Sequence, residues 1–155
     1  MTSRRTCRRE LEAAEFAARA LHDVRTGRFE RTMSGLTAMG AIVTAVEIFF
    51  EHDSASFGNK LMWTPVMLAP VGAVAGVAGV FSKRAAKTTL PVVSALIVAN
   101  GLQGLYLHAR GIHQKRGGFK NFRSNMEMGP TLMAPLLVTV VGGMGILAAL
   151  LRRER

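Results

Sequence analysis

Four long apolar stretches dominate the pattern of hydrophobic and polar positions along the chain. They cover residues 33–50, 61–82, 88–107 and 128–151; the last three contain no charged residue, and the first contains only Glu47. A bilayer core about 30 Å thick is crossed by roughly 20 residues of helix at 1.5 Å rise per residue. The pattern therefore predicts an all-α membrane protein with four transmembrane helices packed as one bundle.

A soluble four-helix bundle is the competing interpretation of the same pattern. Its helices would be apolar on one face only, with charged residues along the face that meets water. Stretches 61–82 and 128–151 are instead apolar all round, and many of the 16 glycines lie within the apolar stretches. Glycine is more frequent in membrane helices than in soluble ones, so composition favours the membrane interpretation.

The first 32 residues precede the apolar stretches and are rich in charge. Within them, Glu10–Arg25 predicts an amphipathic helix, with charged residues on one face and mainly alanine and leucine on another. Such a helix lies on the membrane surface or docks a partner protein, and the surface position is the simpler interpretation. Gly27 is expected to end it.

Positive charge is distributed unequally between the two sides of the predicted bundle. Of the 20 Lys and Arg residues, 14 lie in residues 1–32, 83–87 and 152–155, while Lys60 and residues 109–127 supply the remaining six. Because positive residues accumulate on the cytoplasmic side, we expect both termini in the cytoplasm of a bacterial-type plasma membrane. The net charge of +10 does not indicate nucleic-acid binding, since these residues lie where they orient spans and contact anionic lipid headgroups.

The two halves of the chain share a weak internal repeat. The second stretch contains Pro65-Val-Met-Leu-Ala-Pro70 and the fourth contains Pro130-Thr-Leu-Met-Ala-Pro135. The first and third stretches are each followed by a histidine, His52 and His108 respectively. This pattern predicts two tandem helical hairpins in the same orientation, although such short matches also arise by chance.

Small residues in two of the stretches predict where helices approach closely. Gly72, Gly76 and Gly79 follow one another at helical spacing in the second stretch, and Gly142 and Gly143 lie in the fourth. Without side chains, two helix backbones come close enough to gain dispersion contacts. The motif does not separate contact within the bundle from dimerisation.

Two histidines at the outer ends of their helices are candidate cofactor ligands. His52 and His108 would hold a b-type haem, or, together with Glu47 and Glu127, a metal ion. The simpler interpretation is an interfacial belt, in which polar and aromatic side chains reach the headgroups. Glu47 fits that interpretation least, because a carboxylate about one turn inside the membrane is costly unless it is paired or faces water.

Polar side chains also occur inside the third stretch. Asn100 and Gln103 are three residues apart and so share a helix face. They either hydrogen-bond to a neighbouring helix or line a polar cavity.

The connection formed by residues 109–127 departs from the positive-inside pattern and is the strongest candidate for recognition. It combines basic and aromatic residues that suit anionic lipid or an acidic partner surface. The residues concerned are Arg110, Lys115, Arg116, Phe119, Lys120, Phe122 and Arg123.

No catalytic motif accompanies these features, and the single cysteine, Cys7, allows no intramolecular disulfide. We therefore expect a non-catalytic accessory or anchoring subunit of a larger membrane assembly, in contact with membrane lipids and with either a larger membrane protein or further copies of itself. The alternatives are a haem- or metal-binding redox subunit using His52 and His108, and a small oligomeric transporter or channel using Glu47, Asn100 and Gln103.

Overall fold

A computed structural model describes residues 2–121, 123–125 and 131–151, and no strand occurs in those residues. Short 3-10 helices cover Lys60–Met62 and Gly118–Lys120. The α-helices are α1 (Thr2–Thr26), α2 (Arg28–Ser54), α3 (Trp63–Phe81), α4 (Lys83–Lys87), α5 (Thr89–Gln114) and α6 (Met133–Leu150).

Four helical segments are long and apolar enough to cross a membrane: Arg28–Ser54, Lys60–Phe81, Thr89–Gln114 and Met133–Leu150. They confirm the predicted all-α membrane bundle. Two helices extend beyond their apolar stretches, since α2 begins at Arg28 and α5 continues to Gln114. Arg110, expected in a loop, therefore lies on α5, because helix hydrogen bonding continues where hydropathy ends.

The burial pattern of α2 is that of a membrane helix and not of a soluble one. Its buried positions are mostly small, including Ser34, Thr37 and Ala41, whereas Met39 and Val43 are exposed on the outer surface. A helix surrounded by lipid gains nothing by hiding large apolar side chains, but it gains dispersion contacts when small residues let backbones approach. The helix therefore presents its small side to its neighbours and its large side to the membrane.

The bundle has the four long helices at its corners. The most extensive contacts join α2 to α3 and α5 to α6, as expected for two hairpins, and α2–α6 and α3–α5 contacts close the ring. Helices α2 and α5 hardly touch and so lie diagonally opposite. Pro130 lies outside the described residues, so the sequence correspondence between the hairpins stays a prediction.

Several of the predicted glycines lie at helix crossings. A Cβ atom on Gly76 would be 2.7 Å from the backbone nitrogen of Ala38, and one on Gly142 would be 2.8 Å from the Ser94 carbonyl oxygen. Gly72 and Gly79 face side chains of α5 and α2 at similarly short range. The close approaches therefore occur within the bundle.

Gly143 does not pack within the described bundle as its neighbour does, so its predicted role in helix packing would require another chain and stays a prediction. A Cβ atom there would meet nothing within 4 Å. The reason is helical geometry, since consecutive residues point about 100° apart and Gly142 already faces α5. Gly101, which the pattern missed, is tightly packed, because its added Cβ would be 2.8 Å from the Thr139 backbone nitrogen.

Helix α1 lies largely outside the bundle, and its main contacts are with α2. Gly27 separates the two helices with a left-handed backbone at φ 77°. Leu11, Phe16 and Leu21 are exposed on α1. The predicted amphipathic helix is therefore present, with its apolar side chains facing away from the bundle.

Candidate functional site

A cavity of about 390 Å³ lies among the halves of the four spanning helices that adjoin the α2–α3 and α5–α6 connections, the end of the bundle that the charge distribution predicts to face outward. Ile48 and Val138 contribute to its apolar wall, and Pro65 and Pro135 lie on facing helices. Clefts of roughly 300–1,000 Å³ with apolar walls and a few polar groups are typical of small-molecule sites. We refer to this space as the outer cavity.

One stripe of α5 runs along the outer cavity from the middle of the helix to its C-terminal end. Its members recur every three or four residues and therefore share one helix face. At 1.5 Å per residue the stripe is about 21 Å long. It consists of Asn100, Gln103, Leu107, Arg110 and Gln114.

The inner end of this stripe is tied to α3 by a hydrogen bond. The Asn100 side-chain nitrogen donates to the Thr64 hydroxyl oxygen over 2.9 Å. Thr64 and Gln103 are both exposed, so the outer cavity is open between α3 and α5 above that bond.

Both candidate histidines line this same cavity. The Nδ1 atom of His108 lies 2.6 Å from the backbone carbonyl oxygen of Thr131. A carbonyl oxygen only accepts hydrogen bonds, so Nδ1 carries the proton and, in the neutral ring, Nε2 is left as an acceptor. Carbonyl-bound Nδ1 is also the arrangement commonly seen when Nε2 binds a metal.

His52 approaches the cavity from α2. Its Nδ1 atom is buried and has no hydrogen-bond partner among the described residues, while the backbone of Met62 interacts with the ring. His52 and His108 thus reach the same cavity from α2 and α5. The stacked rings of Phe57 and Trp63, with centroids 4.1 Å apart, cover this end of α2.

The carboxylates that were expected to join the histidines are not brought to them in the described structure. Glu47 is exposed on the outer surface of α2 and does not line the outer cavity, and Glu127 lies outside the described residues. Among residues 6–121, 123–125 and 131–151, no three His, Cys, Asp or Glu side chains meet as a metal site would require. A haem held by His52 and His108 alone stays a prediction.

The separation of Glu47 from the cavity also bears on the transport hypothesis. Asn100 and Gln103 line the outer cavity as expected, but Glu47 points elsewhere. The three residues therefore do not form one polar path within a single chain.

The basic connection beyond α5 is short, exposed and held by its own backbone. Gly117 adopts φ 87°, and Asn121 donates its side-chain nitrogen to the Arg116 carbonyl oxygen over 3.2 Å. The described members of the predicted contact surface are all exposed, and Phe122 lies outside the described residues; the exposed members are Arg110, Lys115, Arg116, Phe119, Lys120 and Arg123.

Sequence reasoning missed the cavity role of Arg110 and Gln114 and the part played by Thr64. The sequence did contain a signal for Arg110 and Gln114, since both continue the spacing of three and four residues that begins at Asn100. The predicted end of the third span at residue 107 left this spacing unrecognised. Thr64 carried no such signal, because its role depends on how α3 packs against α5.

Comparison with family models, with curated proteins and with solved structures finds no match to this chain.

Proposed function

We propose that this chain is a small, non-catalytic subunit that packs against a larger membrane protein in a bacterial-type plasma membrane, with both termini in the cytoplasm. The observation that supports this proposal is the position of Glu47. It lies on the membrane-facing surface of the bundle and makes no ion pair with any described residue.

The depth of Glu47 makes contact with lipid alone unfavourable. Helix α2 has 27 residues and is about 40 Å long, which exceeds the roughly 30 Å bilayer core by a few ångströms at each end. Glu47 precedes the end of α2 at Ser54 by about 10 Å, so it lies within the core of the bilayer. An acidic side chain at the bilayer centre costs about 2.5–3.5 kcal/mol, and less towards the headgroups.

The surroundings of Glu47 are apolar and exposed. Val43, Val46 and Phe50 lie within one turn of Glu47 along α2, and each is more than half exposed. A neighbouring membrane protein that brings a basic or hydrogen-bonding side chain to Glu47 would cover the apolar residues as well. One contact thus relieves the cost of the carboxylate and supplies helix packing.

Acidic and basic side chains lie on different sides of the bundle at its outer end. Exposed Glu51 and Asp53 extend the acidic surface of α2, whereas the exposed cations 110, 115, 116 and 120 belong to α5 and the connection after it. Because α2 and α5 are diagonal, the acidic and basic surfaces do not serve the same neighbour. The larger protein proposed at Glu47 would therefore lie on the α2 side of the bundle.

Photo-crosslinking in native membranes tests the proposal. A crosslinking amino acid at Val43 should give a discrete product with a second, larger protein, and the product should be lost when Glu47→Lys is added. The same amino acid at Val92, which is exposed to a similar extent on the diagonally opposite helix α5, is the control and should give no such product. Crosslinks to lipid alone at Val43 would contradict the proposal, and a product of twice the chain's own mass would indicate a homo-oligomer instead.

A redox subunit is the second candidate, and the shared cavity of His52 and His108 favours it. The chain's contribution would be an oriented Nε2 acceptor on His108 and a second ring from α2. A Soret absorbance band in the purified protein, lost in His108→Ala, would support it. A colourless preparation that takes up no added haem would exclude it.

A further inference from the structure

We propose that the outer cavity binds one anionic phospholipid from the outer leaflet, with its phosphate at Arg110 and its glycerol esters against the amide groups of α5. Of the basic residues in the predicted contact surface, this site uses only Arg110, which also lines the outer cavity, and it does not depend on the proposed partner at Glu47.

The charge of the cavity lining carries the first step. Among the residues that the structure describes, no Asp or Glu lines the cavity, whereas Arg110 and both histidines do. Arg110 makes no ion pair or side-chain hydrogen bond with any described residue. A guanidinium without a counter-charge beside a cavity is matched by a carboxylate or phosphate, which it binds through two parallel hydrogen bonds.

The order of groups along α5 carries the second step. Arg110 lies near the outer end of the helix, Gln103 two turns deeper, and Asn100 deeper still, where it is already bonded to Thr64. A phospholipid has the same order, with its phosphate at the surface and its ester carbonyls below. The side-chain amide hydrogens of Gln103 bond to no described residue and are donors, whereas ester carbonyls only accept.

The shape of the cavity carries the third step. It is open between α3 and α5, where Thr64 and Gln103 are exposed, so acyl chains can remain in the membrane while the headgroup region enters. Ile48, Pro65 and Val138 supply an apolar wall deeper in the bundle. A free anion would use Arg110 alone and leave this wall uncovered.

Native mass spectrometry of the detergent-solubilised full chain tests the site, with phosphatidylglycerol as probe and phosphatidylcholine as the zwitterionic comparison. We expect one tightly retained phosphatidylglycerol and at least tenfold weaker retention of phosphatidylcholine. The Arg110→Gln variant should lose roughly tenfold in phosphatidylglycerol affinity, as expected for loss of a charge-assisted hydrogen bond.

Arg116→Gln is the matched control, because it removes the same positive charge. Arg116 lies six residues after Arg110, and its side chain does not line the cavity. It should change affinity less than twofold. Gln103→Leu should weaken binding independently of charge, and unchanged helical circular dichroism should show that each variant is folded.

Three results would overturn the proposal. Equal losses in Arg110→Gln and Arg116→Gln would assign binding to the exposed connection and not to the cavity. Equal retention of both lipids would remove the role of charge. Displacement of the lipid by millimolar inorganic phosphate would show an anion site and not a lipid site.

Discussion

The adjacent glycines 142 and 143 give the sharpest test of how α6 packs. Replacing Gly142 with alanine places a Cβ atom 2.8 Å from the Ser94 carbonyl oxygen and 2.9 Å from the Val98 backbone nitrogen. Both atoms belong to the α5 backbone, so no side-chain rotation relieves the contact and the two helices must separate by several tenths of an ångström. The same replacement at Gly143 meets no atom within 4 Å.

The magnitude follows from comparing the two variants with each other. Each gains about 1 kcal/mol from the higher helix propensity of alanine, and this gain cancels in the comparison. Overpacking costs about 1–3 kcal/mol, so Gly142→Ala should be less stable than Gly143→Ala by about 2 kcal/mol. That difference corresponds to roughly 30-fold in the unfolding equilibrium.

The assay is SDS-induced unfolding in mixed micelles, followed by far-ultraviolet circular dichroism. Gly143→Ala should unfold at the same SDS fraction as the unmodified protein or slightly higher, and Gly142→Ala at a clearly lower one. Equal destabilisation of both variants would mean that α6 is rotated from the position described here. Stability unchanged in both would remove the close contact with α5.

Three further predictions concern single contacts. Lys87→Met should lower the thermal midpoint of unfolding by a few degrees, because the Lys87 ammonium donates to the Ala149 and Leu151 carbonyl oxygens at the end of α6. Differential scanning calorimetry measures the midpoint, and an unchanged value would refute the prediction. Asn100→Ala should lower the free energy of unfolding in the SDS assay by about 1 kcal/mol, because the hydrogen bond to Thr64 is lost. The double variant Thr64→Val, Asn100→Ala should lose little more stability than either single variant, and additive losses would count against the bond. Gly117→Ala should loosen the connection after α5, because φ 87° is strained for alanine by about 1–2 kcal/mol and the new Cβ would contact the Asn121 side chain. We expect faster trypsin cleavage after Lys115 and Arg116, and an unchanged cleavage rate would contradict the prediction.

The architecture could be predicted from sequence because lipid imposes one strong rule. Every backbone polar group must be satisfied inside the membrane, so an apolar stretch of sufficient length becomes a helix. Stretches 61–82 and 88–107 needed only that rule. The rule says less about where a helix ends, and α5 continues past its apolar stretch by seven residues to Gln114.

The site was only partly predictable, because it depends on how the helices are rotated about their axes. His52 and His108 line the same cavity, since each follows a span that ends at the same end of the bundle, but their joint role as ligands stays a prediction. Glu47 precedes His52 by five residues, so it projects from a different side of α2, away from the cavity. The different surroundings of Gly142 and Gly143 could not be predicted for the same reason, since sequence spacing alone does not give the face that meets a neighbouring helix.

Purification from native membranes in a mild detergent, read by intact-complex mass spectrometry and absorbance, tests the proposed role most directly. We predict a colourless complex in which this chain is bound stoichiometrically to a larger membrane protein, and loss of that protein in Glu47→Lys. A chain that purifies without any protein partner, or one that carries a haem spectrum dependent on His52 and His108, would contradict the proposal.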